Sequence, residues 1–268
     1  MLSIKIGNKG RLGNQMFQYA ALIGIAQKQG LNYGINYKKG NDLTWKEYGI
    51  DNEYKLLTLD KAFNLSAIQY KSNKLDKIIK EKYFHFDETF FNTGDDIILE
   101  GHFQTGKYFN HCEDIIKKEF SFKKEIVDSC KSFLNDKSFN ETVAIHVRRG
   151  DYINNSYYAQ SNILYYEKAI SKNFNDKDYN FIVITDDIDW CKLFFNRKNF
   201  YISEGRNQFL DMCIMSMCDH NIITNSSFSW WGSWLNKNPN KKIIAPVQWF
   251  TNPEILTKDL YLSNWITL

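Results

Sequence analysis

Residues 143–152, VAIHVRRGDY, end an apolar run on two adjacent arginines. The chain prefers lysine: its 34 basic residues include only Arg11, Arg148, Arg149, Arg197 and Arg206 as arginines. A guanidinium offers a planar fork of donors that matches two oxyanion oxygens at once, which an ammonium cannot do. His146 and Asp151 flank the pair and add groups that can move a proton. Three other stretches carry polar groups of the right kind. TDDID supplies Asp186, Asp187 and Asp189. NSSFS supplies Asn225, Ser226, Ser227, Phe228 and Ser229. GRLGNQ supplies Arg11, Asn14 and Gln15. Carboxylates there can accept from guanine N–H groups or a ribose. Asn225 or Ser226 reads as an N-cap whose following amides point at an anion. The set is basic, acidic and hydroxyl-rich, and it suits a nucleotide diphosphate.

Such groups converge only if strands deliver them to one side. Apolar runs of four to six alternate with segments of helical period from residue 142 onward, which predicts βαβ units and a parallel sheet. The strands are TVAIHV (142–147), FIVITDD (181–187), NFYIS (199–203), NIITNSS (221–227) and KKIIAPV (241–247). The helices lie over 163–174, 189–196, 207–219 and 228–236. Ligands of open parallel sheets bind beyond the carboxyl ends of the strands, where these motifs fall. Strand alternation aims His146 and Arg148 to one side and Arg149 to the other, so one arginine is expected to brace the loop, against Asp151. The first half opens as strand, Gly-containing loop and a helix closed by Gly30. Residues 36–95 give no clear pattern, and 96–109 read as strand, loop and helix start. The expected architecture is α/β with two lobes, 1–138 and 139–268, divided in the charged segment 132–141 and enclosing a crevice.

Composition bounds the function classes. Hydrophobic content of 43% and charged content of 24% belong to a globular chain, and a net charge of +3 spread over isolated lysines gives no nucleic-acid arm. The lysine-rich stretches 71–82 and 117–124 read as solvated helix faces. Five cysteines without a C-x-x-C pair argue for buried thiols in a reducing compartment. No apolar leader or membrane-length span is present, so the expected location is cytosolic, with at most peripheral contact at the inner membrane face. RGD at a strand end is read as coincidence, and the tryptophans of WWGSWL as core.

Five segments then carry a family resemblance, in order along nearly the whole chain: GRLGNQMFQYA, GHFQTGKYF, HVRRGDY, ITDDIDWCK and DMCIMSMCDHNIITNSSFSWWGSWLN. The chain resembles the alpha-1,2-fucosyltransferases of glycosyltransferase family 11. That resemblance implies a GT-B fold of two Rossmann-like lobes with mainly parallel sheets facing a cleft. The N-terminal lobe would take the acceptor and the C-terminal lobe the donor, GDP-β-L-fucose. It further implies inversion at the anomeric carbon, no required metal or other cofactor, and transfer to O2 of a β-galactoside in an oligosaccharide. A lipid-carried glycan of bacterial surface polysaccharide is the expected acceptor.

The resemblance also carries residue roles. Arg148 is the first choice for the β-phosphate contact, and Asn14 lies at the reaction centre. Arg11, Arg149, Asp186 or Asp187, Asn225, Ser226, Ser227 and Phe228 fall to the donor. His102 and Gln104 fall to the acceptor, with His102 standing where tyrosine is expected. The catalytic set is Arg148, Asn14, Asp151 and His146. Asp151, His146, His102 and Glu100 are all candidate general bases, with Asp151 preferred. Two alternatives stand beside this reading: a metal-dependent transferase using the D-x-D of Asp187 and Asp189, and a non-catalytic sugar- or nucleotide-binding protein.

Overall fold

A computed structural model of the chain describes residues 1–7, 10–35, 59–66, 68–69, 77–137 and 139–268. The chain divides into two units, Met1–Ser121 with Ile255–Tyr261, and Phe122–Glu254 with Leu262–Leu268.

In the first unit, β1 (Leu2–Ile4) leads through a glycine-containing loop into α1 (Leu12–Gln29). Apart from Asn14, α1 is buried from Leu12 to Ala26, so it is a core helix rather than an amphipathic surface one. Gly30 closes it in the left-handed conformation, φ 66°, with its N–H on the carbonyls of Ala26 and Gln27. Then come β2 (Gly34–Ile35), α2 (Leu59–Ala62), β3 (Ile68–Gln69), β4 (Lys77–Lys80), β5 (Ile97–Glu100) and α3 (Glu113–Glu119). A parallel three-stranded sheet runs in the order β1-β5-β4, and β2 pairs with β3. Part of the lysine-rich 71–82 stretch departs from the sequence expectation. Residues 77–80 form an edge strand, not a helix face, with Lys77 and Lys80 in solvent. Lysine on a sheet edge discourages pairing with another chain. Residues 71–76 lie outside the described residues, as does most of the unparsed region 36–95.

The second unit begins with α4 (Lys124–Asp136), followed by β6 (Glu141–Val147), α5 (Ile163–Asn173), β7 (Tyr179–Thr185) and α6 (Ile188–Phe194). It continues with β8 (Phe200–Ile202), α7 (Gln208–Met217), β9 (His220–Ile222), α8 (Ser227–Trp234), β10 (Ile243–Ala245) and β11 (Ile266–Thr267). Six strands form one parallel sheet in the order β11-β10-β9-β6-β7-β8. β6 is buried from Thr142 to Val147, because helices cover both faces of such a sheet. Val143, Ile145 and Val147 pack with Tyr166, Ala169, Cys191 and Phe195 from α5, α6 and the residue after it. On the other face, His146 lies against Phe228 of α8, ring centroids 5.3 Å apart. Trp230, Trp231 and Trp234 are buried, which makes them core. All five cysteines are buried free thiols.

The division between the units falls at Ser121/Phe122, earlier than the charged segment 132–141 that sequence reading chose. α4 belongs with the second unit because it packs on α7: Cys130 Sγ lies 3.5 Å from the Leu210 carbonyl. Arg206, in the turn before α7, also stacks on Phe133 at 3.8 Å. The polar end of α4 is simply its solvent face. Residues 255–261 return to the first unit, where Asp259 accepts from Phe86 N, pairs with Lys107, and gives its carbonyl to Thr105 Oγ1 at 2.6 Å. No helix among the described residues is long and apolar enough to cross a membrane.

Candidate active site

The carboxyl ends of β6 and β7 lie side by side, with Val147 in register with Thr185. The arginine pair and the aspartate pair that follow therefore meet. Arg148 Nη1 donates to Asp186 at 2.8 Å, and Nη2 lies 2.5 Å from Asp151. Asp186 uses its other oxygen on the backbone N–H of Arg149, also at 2.8 Å. Gly150 makes this approach possible, because a Cβ there would stand 2.8 Å from Asp186 Oδ2. The face of Tyr152 lies 5.5 Å from the Arg148 guanidinium.

Arg149 points the other way, as strand alternation requires. Its Nε donates to Asp187 at 3.0 Å, and its guanidinium stacks on Trp190 at 4.2 Å. Asp187 is also the N-cap of α6, accepting from Trp190 N. Arg149 is thus the bracing arginine, but its partner is Asp187; Asp151 holds Arg148 instead. Across the cluster, two guanidiniums face three carboxylates.

The segment after β9 separates into two roles. Ser226 takes the N-cap position of α8 without a side-chain cap hydrogen bond, and Ser227 and Phe228 form the first turn, both partly exposed. Asn225 departs from its expected donor contact. It is 1% exposed, and its Nδ2 donates to the carbonyls of Ala159 and Trp249 at 2.5 and 2.7 Å. It fastens loops together, and so does the Tyr152 hydroxyl, which donates to the Asn225 carbonyl at 3.2 Å. Ser229 is likewise turned inward onto the carbonyls of Thr224 and Ser226.

His146 is 5% exposed, and its Nδ1 is buried with no hydrogen-bond partner among the described residues. Burial, with the Arg148 guanidinium nearby, pulls the imidazole down to about 3. It is a neutral ring at ordinary pH and a poor proton acceptor.

The first unit holds a second cluster. Gln104 Nε2 donates to Asn14 Oδ1 at 2.8 Å. Asn14 stands in the first turn of α1, tight against Gly10, where a Cβ would fall 1.8 Å from Asn14 Nδ2. Gly10 also has φ 101°, a conformation costly for any other residue. Buried Gln18 ties the loop after β1 to the loop after β5, accepting from Gly7 N and donating to the Gly101 carbonyl. Glu81 accepts from the backbone N–H groups of His102 and Phe103, at 2.7 and 3.0 Å. Phe103 is held at φ 53°, a strained value for an aromatic residue, with its side chain fully buried against Phe90 and Tyr108. This turn sets His102, partly exposed, beside Gln104. Arg11, just before α1, is exposed. A hydrogen bond to Lys5, with the charges of Lys5 and Lys80, holds the Glu100 carboxyl below its usual range, which weakens it as a base.

The sequence reading passed over Gln18, Glu81, Tyr152, Trp190 and Gly150. Four of the five stand in quoted motifs, Gln18 in GRLGNQMFQYA, Gly150 and Tyr152 in HVRRGDY, and Trp190 in ITDDIDWCK; Glu81 does not. Gln18, Glu81 and Tyr152 act on Gly101, His102 and Asn225, which lie 83, 21 and 73 residues away, and spacing does not reveal such partners. Asp187 and Asp189, the alternative metal pair, are separated in role: Asp187 serves Arg149 and the α6 amide, and Asp189 is exposed in the first turn.

The architecture is shared with solved fucosyltransferases of the GT-B fold. NodZ alpha-1,6-fucosyltransferase, in a crystal soaked with GDP-fucose, superposes with a TM-score of 0.53 at 12% identity, covering 87% of this chain and 92% of its own. POFUT1 in complex with GDP gives 0.56 at 11%, covering 91% and 97%. These likenesses show the fold, GT-B.

The sequence narrows it: residues 2–268 match the profile of glycosyl transferase family 11, and the chain belongs to that family. Relatives include the O-antigen biosynthesis glycosyltransferase WbnK of Escherichia coli, 29% identical over 97% of this chain and 98% of its own. An alpha-1,2-colitosyltransferase of Escherichia coli is 28% identical over 97% and 96%. The mouse galactoside 2-alpha-L-fucosyltransferase Sec1 is 27% identical over 88% and 64%.

Proposed function

We propose that this glycosyltransferase moves L-fucose from GDP-β-L-fucose to O2 of a β-galactoside, with inversion and without a metal. One observation carries the reading. Arg148 stands at the end of β6 with its fork held by Asp186, and Asp186 is fixed in turn by the Arg149 N–H. A pre-placed guanidinium at a strand end is the group that a leaving diphosphate needs. The family supplies the reaction class, and the relatives' 1,2 linkage supplies the acceptor position.

In the proposed reaction, the C1–O bond to the β-phosphate breaks and its electron pair leaves with GDP. The acceptor O2 forms a bond to C1 from the opposite face, and its proton passes to a carboxylate. Arg148 and the first-turn amides of α8, with Ser226, Ser227 and Phe228, meet the growing charge on phosphate. Asp186 positions Arg148. Arg149 and Asp187 hold the corner on which the donor lies. Asn14, Gln104 and His102 form the acceptor-side set, with Asn14 at the reaction centre, and Arg11 stays with the donor. Asp151 is the proposed base, with His102 kept beside it as a candidate, because the other two, His146 and Glu100, are both depressed in basicity. The commitment of Asp187 to Arg149 and Trp190 N supports the metal-free reading.

A second donor has its own support, since one relative bears the name alpha-1,2-colitosyltransferase. Colitose is fucose without its 3-hydroxyl, so the two donors test one site at one atom. The experiment is a donor screen with GDP-fucose and GDP-colitose against a panel of β-galactosides in EDTA, with linkage analysis of the product. An α-1,2-fucosylated product supports the reading. Transfer from GDP-colitose alone replaces the donor, and transfer only after metal is restored removes the metal-free account.

A further inference from the structure

The charge in the arginine cluster runs against simple capture of a diphosphate. The ion pairs seen here among the described residues set two guanidiniums against three carboxylates, those of Asp151, Asp186 and Asp187. Each terminal nitrogen of Arg148 is engaged, Nη1 by Asp186 and Nη2 by Asp151. Those contacts use two of the five N–H groups but occupy both arms of the Nη1–Nη2 fork, so an incoming diphosphate that would take this fork meets carboxylates already on it. For Arg148 to offer that fork to phosphate oxygens, one carboxylate must let go.

The two carboxylates are not equivalent. The Asp186 side chain is 27% exposed; its second oxygen accepts from Arg149 N, and it sits against the bare backbone of Gly150. The Asp151 side chain is 51% exposed, on the short turn Gly150–Tyr152. A carboxylate half in water loses little when it leaves an ion pair, because solvent replaces much of the interaction. Carboxylate and phosphate oxygens also compete for the same face of a guanidinium fork.

We infer that Asp151 occupies, in the ligand-free protein, the place on Arg148 that the donor's phosphate takes, and that donor binding displaces it. Asp151 is a built-in competitor for the phosphate, while Asp186 is the fixed support of the same arginine. The exchange swaps one anion for another on Nη2 and keeps the Nη1 contact. The inference rests on the donor reading above, and the test separates the two.

The test is calorimetric titration of GDP and of guanosine into the full-length wild type, D151N and D186N at low, fixed ionic strength. D151A repeats the D151N arm with the side chain removed. Removing the competitor is expected to tighten GDP about three- to tenfold, a little beyond what an exposed ion pair is worth because a repelling charge also goes. Guanosine has no phosphate, so its affinity is expected to stay unchanged in D151N. D186N is expected to bind GDP more weakly than wild type. D151N and D151A, despite tighter GDP, are expected to transfer sugar more slowly. If wild type binds GDP and both Asp151 variants bind it equally or more weakly, the competitor role is overturned. An equal gain for guanosine and GDP overturns it as well. If wild type binds no GDP, the donor reading itself falls, and the inference with it.

Discussion

Gly150 lies against the carboxylate of Asp186 so closely that a methyl group on it would come within 2.8 Å of Oδ2. That distance is shorter than a side-chain carbon tolerates, so G150A must push the carboxylate aside. Asp186 holds both Arg148 Nη1 and Arg149 N, and both contacts would lengthen. Gly150 itself is exposed, so the fold has little at stake. G150A is expected to weaken GDP severalfold while its melting temperature stays within about 2 °C of wild type, a surface-scale change. Titration with GDP beside a thermal melt checks it; unchanged affinity would show that the approach of Asp186 does not matter.

Gly10 and Asn14 make a tighter pair. A Cβ on Gly10 would overlap the Asn14 side chain, and φ 101° disfavours any substitute. G10A is expected to move Asn14 away from Gln104 and to lower kcat by about tenfold or more, as small misplacements at reacting groups do. GDP affinity is expected to change far less than kcat, because Arg148 and Arg149 lie in the second unit and only Arg11 of the donor set lies beside Gly10. Steady-state kinetics with separate GDP titration tests the split. A loss confined to GDP affinity would contradict the assignment of Asn14.

His146 gives a pH signature in stability rather than in rate. Its ring is held near 3, against an ordinary value of 6.5. Below pH 6.5 the unfolded chain takes up a proton there that the folded chain refuses. Stability contributed by the neutral ring is therefore present above pH 6.5 and is lost as pH falls toward 3. The slope from this residue approaches about 1.4 kcal/mol per pH unit at most. Between pH 6.5 and 5, before most carboxylates titrate, urea unfolding of wild type is expected to show this loss and H146N to lack it. Parallel curves for the two proteins would show that the ring is not buried neutral.

Much of the second unit was legible because its physics is local. Each βα unit announces itself as a short apolar run followed by a helical period, and the parallel sheet follows from their alternation. The motif placement followed too, since β6 and β7 run in register and bring Arg148 to Asp186. What spacing could not give was who holds whom. Asp151 and Asp187 are each near both arginines in sequence or register, and only the direction of each side chain assigns Asp151 to Arg148 and Asp187 to Arg149. Asn225 looked like a ligand contact because it is polar and precedes a helix. Its amide instead satisfies two backbone carbonyls, a need set by loops 66 and 24 residues away. β4 was misread for a related reason: an edge strand needs no continuous apolar run, so KIIK resembles any solvated stretch.

The central claim is that the Arg148 fork, supported by Asp186, meets the charge that builds on the leaving diphosphate. The most direct measurement is the transfer rate of R148A with saturating GDP-fucose and a β-galactoside acceptor, in EDTA, beside wild type. The account predicts full wild-type activity in the chelator and a loss of about 10²–10³-fold in kcat for R148A, the scale expected for one pre-placed donor. Its circular dichroism and melting curve are expected to remain native. An R148A rate within a few fold of wild type, or wild-type activity abolished by the chelator, would contradict it.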